Sequence, residues 1–316
     1  MTLQRRMSNL VGMAAVLVAA ALLLRALGII PDGLYDVLTR AWPALLILLG
    51  LGLLLPERLP LASFIVLGLS GALVAGVAFV AYSSRADQPR DDQRVSIDQA
   101  IGDDVTLLVV NVNTLDTDVE VFDGDGERII GEFAGGQASE IDLTHFETDD
   151  ARAEFTLSET RPDQLPRLEA VGRATLRLEL PETVALALVL DGEDGLMTLN
   201  LNALALERLV LDLDRGDALV TLPAYQPLAA NAPEQPGLLN VQNGDLTVIV
   251  PPEVAMRIEL DRGGNNIRPE FDDRYILIDD GADGTLEKRA TTADEIPLTY
   301  EATVPRGLVR LQVAGQ

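Results

Sequence analysis

The chain divides at Ser84 into two parts of opposite character. Residues 1–84 carry five arginines against three acidic side chains and contain long apolar runs. The following 232 residues carry 19 basic and 46 acidic side chains. An acidic excess of that size repels nucleic-acid phosphates, so we exclude nucleic acid as a partner.

The apolar part predicts a transmembrane region at residues 1–83, with about three helices at 10–30, 41–56 and 61–82. The third segment is 22 residues long and uncharged, which gives about 33 Å of helix, enough to cross a bilayer. The second would extend about 24 Å, so it either spans a thinned bilayer or re-enters. A cleaved signal peptide is the alternative for the first segment.

Arginines at the start of the chain, Arg5 and Arg6, favour a cytoplasmic N-terminus. Three spans would then place the C-terminal part on the other side of the membrane. We therefore expect an integral protein of a bacterial cell membrane, in contact with the lipid bilayer, whose C-terminal domain is extracytoplasmic.

Residues 84–98 read as a polar linker, and residues 99–316 predict an acidic all-β domain. Short runs of Leu, Val or Ile alternate with polar or small residues, which is typical of strands with one buried face. The expected strands are Thr106–Val112, Asp118–Phe122, Arg173–Leu180, Ala185–Leu190, Met197–Leu201, Arg208–Leu213, Ala218–Leu222, Leu238–Val241, Leu246–Val250 and Met256–Leu260.

Three similar segments begin at Gly195, Gly216 and Gly244, and each follows another predicted strand. The glycines are 21 and 28 residues apart, within the range of stacked repeat units. The repeat of strand, glycine turn and strand therefore predicts a solenoid of stacked strand pairs. A β-sandwich with the same strands is the alternative.

Two regions carry a family resemblance. The segment Trp42–Gly52 resembles the N-terminal membrane region of LiaF-like bacterial proteins. Gly244–Pro251, followed by Val254–Ile258 and Gly263-Gly264, resembles their C-terminal β-domain and related toast-rack or adhesin-like domains. The resemblance implies a right-handed β-helix-like domain without catalytic residues. It also implies sensing or regulation of envelope stress, through a two-component system or another membrane protein as partner.

Candidate chemistry is sparse. The chain has no cysteine and one histidine, His145, for which Ser139 is the nearest candidate nucleophile. No nucleophile-elbow pattern accompanies them, so we read His145 as a surface loop residue. Chance carboxylate pairs abound, but the scarcity of aromatic residues argues against a sugar-cleaving site.

Three acidic loops could offer oxygen ligands to Ca²⁺, at 123–127, 191–195 and 279–284. None has the spacing of an EF-hand, so solvated turns explain them better. Arg215-Gly216-Asp217 spells an integrin-type motif, although Gly216 already has a turn role.

We therefore predict no catalytic residue, no metal site and no cofactor. The leading hypothesis is a non-catalytic, membrane-anchored cell-envelope protein that senses or regulates envelope stress through protein partners. The alternative is a structural or adhesive surface module that binds protein or carbohydrate.

Overall fold

The computed structural model describes most of the chain beyond Gln88. The described residues are 88–124, 126–148, 151–162, 170–224, 237–261, 263, 269–278, 283–288 and 298–315, with seven helical residues between 72 and 85. The chain forms two compact units: Met1–Gln88 with Arg161–Gly172, and Pro89–Thr160 with Arg173–Gln316.

The expected fold class, N-terminal transmembrane helices followed by a β-helix domain, is wrong. The described part of the chain is nearly all β, and its few helical residues lie between 72 and 85. Within the described residues, no helix combines the length and apolar character needed to cross a membrane. The expected spans 10–30 and 41–56, and most of 61–82, lie outside those residues. Apolar composition alone reports a tendency to be buried, whereas a span also requires a continuous helix of about 20 residues.

The second unit contains 18 strands among its described residues. They are β1 (Gln93–Ala100), β2 (Leu107–Gly124), β3 (Arg128–Gly135), β4 (Glu140–Thr148), β5 (Arg152–Thr160), β6 (Ala174–Pro181), β7 (Ala185–Asp194), β8 (Met197–Asn200), β9 (Leu206–Arg215), β10 (Ala218–Thr221), β11 (Gly237–Val241), β12 (Leu246–Val250), β13 (Met256–Asp261), β14 (Glu270–Phe271), β15 (Tyr275–Leu277), β16 (Asp283–Lys288), β17 (Leu298–Thr303) and β18 (Val309–Val313).

The strands form two connected layers, which we call sheet I and sheet II. Sheet I has the order β4-β5-β2-β7-β9-β11-β17-β13-β16-β15. Sheet II has the order β1-β3-β6-β2-β8-β10-β12-β18-β14. The long strand β2 belongs to both, because its first half pairs in sheet I and its second half in sheet II.

Seven parallel rungs run from sheet I into sheet II, in the order β5/β6, β2, β7/β8, β9/β10, β11/β12, β17/β18 and β13/β14. This order departs from the sequential coils of a solenoid, because β2 lies between rungs that follow it and β17/β18 inserts before β13/β14. Periodicity in the sequence shows that consecutive units are similar. It does not show whether a distant strand pairs between two of them. The alternative of a β-sandwich is also wrong, because the sheets of such sandwiches are antiparallel, whereas these rungs pair in parallel.

Strand β1 occupies part of the segment expected as a linker. It pairs antiparallel with β3 at one edge of sheet II. Within β1 only Ile97 is fully buried, and most of the other side chains are polar or charged. An exposed edge strand of this kind has the same polar composition as a linker, so composition alone did not distinguish the two.

The core lies between the sheets and is built from inward-facing aliphatic side chains at every second position. One row crosses sheet I from rung to rung through buried residues: Leu157, Val112, Leu190, Leu211, Leu239 and Ala302. Even rows of this kind need few aromatic residues, in keeping with the 4% aromatic content.

Glycines occupy the corner where a rung passes from sheet I to sheet II. Gly195 and Gly216 have φ of +149° and +122°, a region that L side chains avoid. The Gly195 amide donates to the Arg215 carbonyl of the next rung at 3.0 Å. The predicted glycine turns therefore stack into a column.

Candidate functional site

The outer face of sheet I carries exposed apolar side chains at its centre. Val189, Val210 and Leu238 occupy one register position on β7, β9 and β11 and form a continuous row, the aliphatic strip. Both valines are half-buried by their neighbours, and Leu238 is 37% exposed. These side chains point away from the core, because Leu190, Leu211 and Leu239 beside them point inward.

Carboxylates border this strip. Asp191 and Asp212 lie two residues further along β7 and β9, opposite one another, and Asn240 continues the row on β11. We call these three residues the acidic row. Two residues on, Glu193 and Asp214 are also exposed. Consecutive outward positions on a strand are about 7 Å apart, so each apolar side chain has a carboxylate or amide neighbour.

Asp212 is the electrostatic centre of the acidic row. Partial burial raises the pKa of its carboxyl group, and the negative charges of Asp191 and Asp214 raise it further. A hydrogen bond from Asn240 Nδ2 to Asp212 Oδ1, 2.7 Å long, acts in the opposite direction. Gln242 Nε2 in turn donates to Asn240 Oδ1 at 2.8 Å. The row thus concentrates negative charge that a cationic group would relieve.

The sequence predicted that His145 lies in a surface loop, but the structure places it in a strand. It stands on edge strand β4, opposite buried Phe155, and its side chain is 15% exposed. Its Nε2 lies 3.4 Å from Glu147 Oε1. Ser139 precedes β4 by one residue, and six residues of strand span about 20 Å, so the two residues do not form a catalytic pair.

Ser139 belongs to a buried polar cluster around Glu159, which the sequence did not indicate. Ser139 Oγ donates to Glu159 Oε1 at 2.5 Å, and Thr117 Oγ1 donates to Oε2 at 2.6 Å. The Leu115 amide also donates to Oε2, at 2.8 Å. Leu115 and Thr117 lie at the bend of β2 between the sheets, where Thr117 stands in place of a corner glycine, and Glu159 connects them to Ser139 before β4. The cluster is therefore structural.

The acidic loops do not gather a metal site among the described residues, where no group of three potential ligands lies close enough to hold an ion. Residues 191–194, expected in a loop, form the end of β7, where Asp194 pairs with Arg173 at 2.8 Å and with Arg215 at 3.0 Å. Asp125 and residues 279–282 of the other loops lie outside the described part.

The Arg215-Gly216-Asp217 motif is engaged in the corner column. Arg215 bonds Asp194, and Asp217 Oδ1 accepts the Asp245 amide of the next rung at 2.8 Å. Asp245 repeats this contact with the Leu308 amide at 2.9 Å. The motif therefore links neighbouring rungs.

Neither a protein-family model nor a curated protein matches the chain. Among solved structures, a "putative cell adhesion protein" from Clostridium sporogenes ATCC 15579 is similar, with a TM-score of 0.49 and 12% sequence identity. The similarity covers 70% of this chain and 100% of that one. The resemblance to LiaF-like proteins is not confirmed by these comparisons, and the β-rich character rests on the strands themselves.

Proposed function

We propose that the β-domain is a non-catalytic binding module of the adhesive or structural kind, and that it holds a basic protein segment on the outer face of sheet I. The observation that carries this proposal is the aliphatic strip beside the acidic row. Val189, Val210 and Leu238 offer apolar contact that water solvates poorly. Asp191 and Asp212 offer a charge that lysine or arginine complements.

Charge favours a cationic protein over the other partners considered. A domain with 46 acidic and 19 basic side chains attracts basic partners over a distance and repels anionic surfaces. Sugar-binding sites use aromatic platforms, whereas the strip consists of valine and leucine. The envelope-stress role and the membrane location stay predictions from the sequence.

Peptide binding tests the proposal directly. The probe is a fluorescent peptide of alternating lysine and leucine, and its partner probe replaces leucine with serine at equal charge. We expect the full chain to bind the lysine–leucine peptide more tightly. The double variant Val210→Ser/Leu238→Ser should lower the affinity for the lysine–leucine peptide by about tenfold and leave the affinity for the lysine–serine peptide unchanged.

The charged half of the face has its own control. Asp191→Asn/Asp212→Asn should weaken both peptides, whereas Asp103→Asn/Asp104→Asn removes two exposed carboxylates from a loop outside the face and should weaken neither. Equal loss of peptide affinity in these two aspartate double variants would show that net charge alone attracts the peptides, and it would overturn the proposed site.

A further inference from the structure

The outer face of sheet II has a row of seven residues, one from each rung, with a regular arrangement of charge. In spatial order they are Arg177, Glu120, Thr198, Leu219, Thr247, Arg310 and Glu270. The row thus reads positive, negative, three neutral positions, positive, negative. Leu219 on the central strand β10 is the midpoint.

Each end of the row is an ion pair within the chain. Arg177 Nε lies 3.0 Å from Glu120 Oε2, and the two side chains are 64% and 53% exposed. At the other end, Arg310 Nε lies 3.1 Å from Glu270 Oε2, and Arg310 Nη1 lies 3.1 Å from Asp245 Oδ2. These exposed pairs contribute little to folding on their own. Both remain available to a partner.

We propose that this face binds a second copy of the chain, around a two-fold axis that runs parallel to the strands at Leu219. Such an axis reverses the row. Arg177 then faces Glu270 of the second copy, and Glu120 faces Arg310. Thr198 faces Thr247 of the second copy, and the two Leu219 side chains face each other. Every charged residue in the row therefore meets the opposite charge, and the neutral residues meet one another.

The centre of the face suits self-association in a chain with a net charge of −25. Thr198, Leu219 and Thr247 are uncharged, and the next outward row supplies Asn200, Thr221 and Ile249 on the same three strands. Two copies therefore meet without opposing carboxylates over these six positions. Exposed Asp217, just before β10, faces Asp217 of the second copy and sets the edge of the contact. On the face of sheet I, by contrast, the acidic row of one copy would repel the other.

The size of the face predicts a reversible dimer. Seven strands span about 29 Å, and the four residues of β8 and β10 span about 13 Å, which gives at most about 380 Å² per copy. That area is below the usual 800 Å² per partner of stable complexes. The row continues beyond Arg177 as Glu132 and Ser96, which extend past the edge of the second copy.

Charge exchange tests the interface by sedimentation velocity of the full chain. Glu120→Arg places like charges opposite Arg310, and Arg310→Glu places them opposite Glu120, so each should weaken dimerisation by at least about tenfold. The double variant Glu120→Arg/Arg310→Glu restores opposite charges and should recover the dimer. A purely structural role of either residue predicts no recovery, because the double variant loses all three intrachain pairs: Arg177–Glu120, Arg310–Glu270 and Arg310–Asp245.

Glu259→Arg is the matched control. Glu259 lies on the outer face of sheet I, is 50% exposed and pairs with Arg257 at 3.3 Å, much as Glu120 pairs with Arg177. It should leave the dimer unchanged. The proposal is overturned if Glu259→Arg weakens association as much as Glu120→Arg, if Glu120→Arg has no effect, or if the double variant stays dissociated.

Cross-linking places the axis independently, because the chain has no cysteine of its own. A short bismaleimide should join two copies through Leu219→Cys, since facing sheets are about 10 Å apart. Val210→Cys on sheet I should not cross-link. Equal cross-linking at the two positions, or none at Leu219→Cys, would show that sheet II is not the interface.

Discussion

A Cβ atom placed on Gly216 would lie 1.8 Å from the carbonyl oxygen of Gly195, one rung away. The same separation relates Gly244 to the carbonyl of Gly216. The corner between the sheets is thus a column of backbone in direct contact. Glycine is required there by both the close approach and the positive φ.

Substitution of Gly216 by alanine should destabilise the β-domain strongly. The new methyl group meets fixed backbone rather than a flexible side chain, and φ of +122° is unfavourable for alanine. We expect a loss of at least about 2 kcal/mol in the free energy of unfolding, measured by urea denaturation. Gly126→Ala is the control, since the nearest atom to its Cβ is 3.9 Å away, and it should change stability little.

Asp217→Ala should cost about 1 kcal/mol, because the Asp245 amide loses its acceptor in the neighbouring rung. Asp217→Asn keeps an oxygen in place and should retain most of that stability. Urea denaturation of both variants checks this. Equal stability of Asp217→Ala and the unmodified chain would show that the aspartate of the Arg-Gly-Asp motif has no structural role.

Removal of the Glu159 side chain should be among the most damaging polar substitutions in the domain. Glu159→Ala leaves Ser139, Thr117 and the Leu115 amide without their buried acceptor. We expect a loss of about 3 kcal/mol in the free energy of unfolding. Glu193→Ala removes an exposed glutamate and should stay within about 0.5 kcal/mol of the unmodified chain. Similar losses for the two variants would contradict the structural role of the cluster.

Local patterns predicted β2 and the consecutive strands β6 to β13, but not β1, β3 to β5 or β14 to β18. The expected Leu246–Val250 is β12, and Met197–Leu201 is β8 to within one residue, because period-two alternation reflects a buried and an exposed face. The rung order could not be predicted. The insertion of β17/β18 between β11/β12 and β13/β14 depends on pairing between distant segments, which local alternation does not encode.

The candidate site left a weaker signal in the sequence. Val189 and Val210 sit within the unbroken runs Leu188–Leu190 and Leu209–Leu211, where strict alternation would place a polar residue outward. Such interruptions mark an apolar outer position. The Glu159 cluster left no such signal, because its acceptor lies on β5 and its donors come from β2 and the segment before β4.

The stability of the domain should depend on the charge of Asp212. Burial and the charges of Asp191 and Asp214 raise the pKa of this carboxyl group above its usual 3.8, so the folded state favours the protonated form. The contribution of Asp212 to stability is therefore most favourable below that value, and it is lost as pH rises through the raised pKa. At neutral pH the ionised group opposes folding.

Asp212→Asn should accordingly stabilise the chain at pH 7 and lose this advantage as the pH falls below 3.8. The amide oxygen can still accept the hydrogen bond from Asn240, so the substitution removes charge without removing the contact. Urea denaturation at pH 7, 5 and 3.5 measures the difference. Asp142→Asn, at the exposed β4 end of the same register row, serves as the control for general charge reduction. An advantage of the Asp212→Asn variant that persisted unchanged at pH 3.5 would contradict this account, because both side chains would then be neutral.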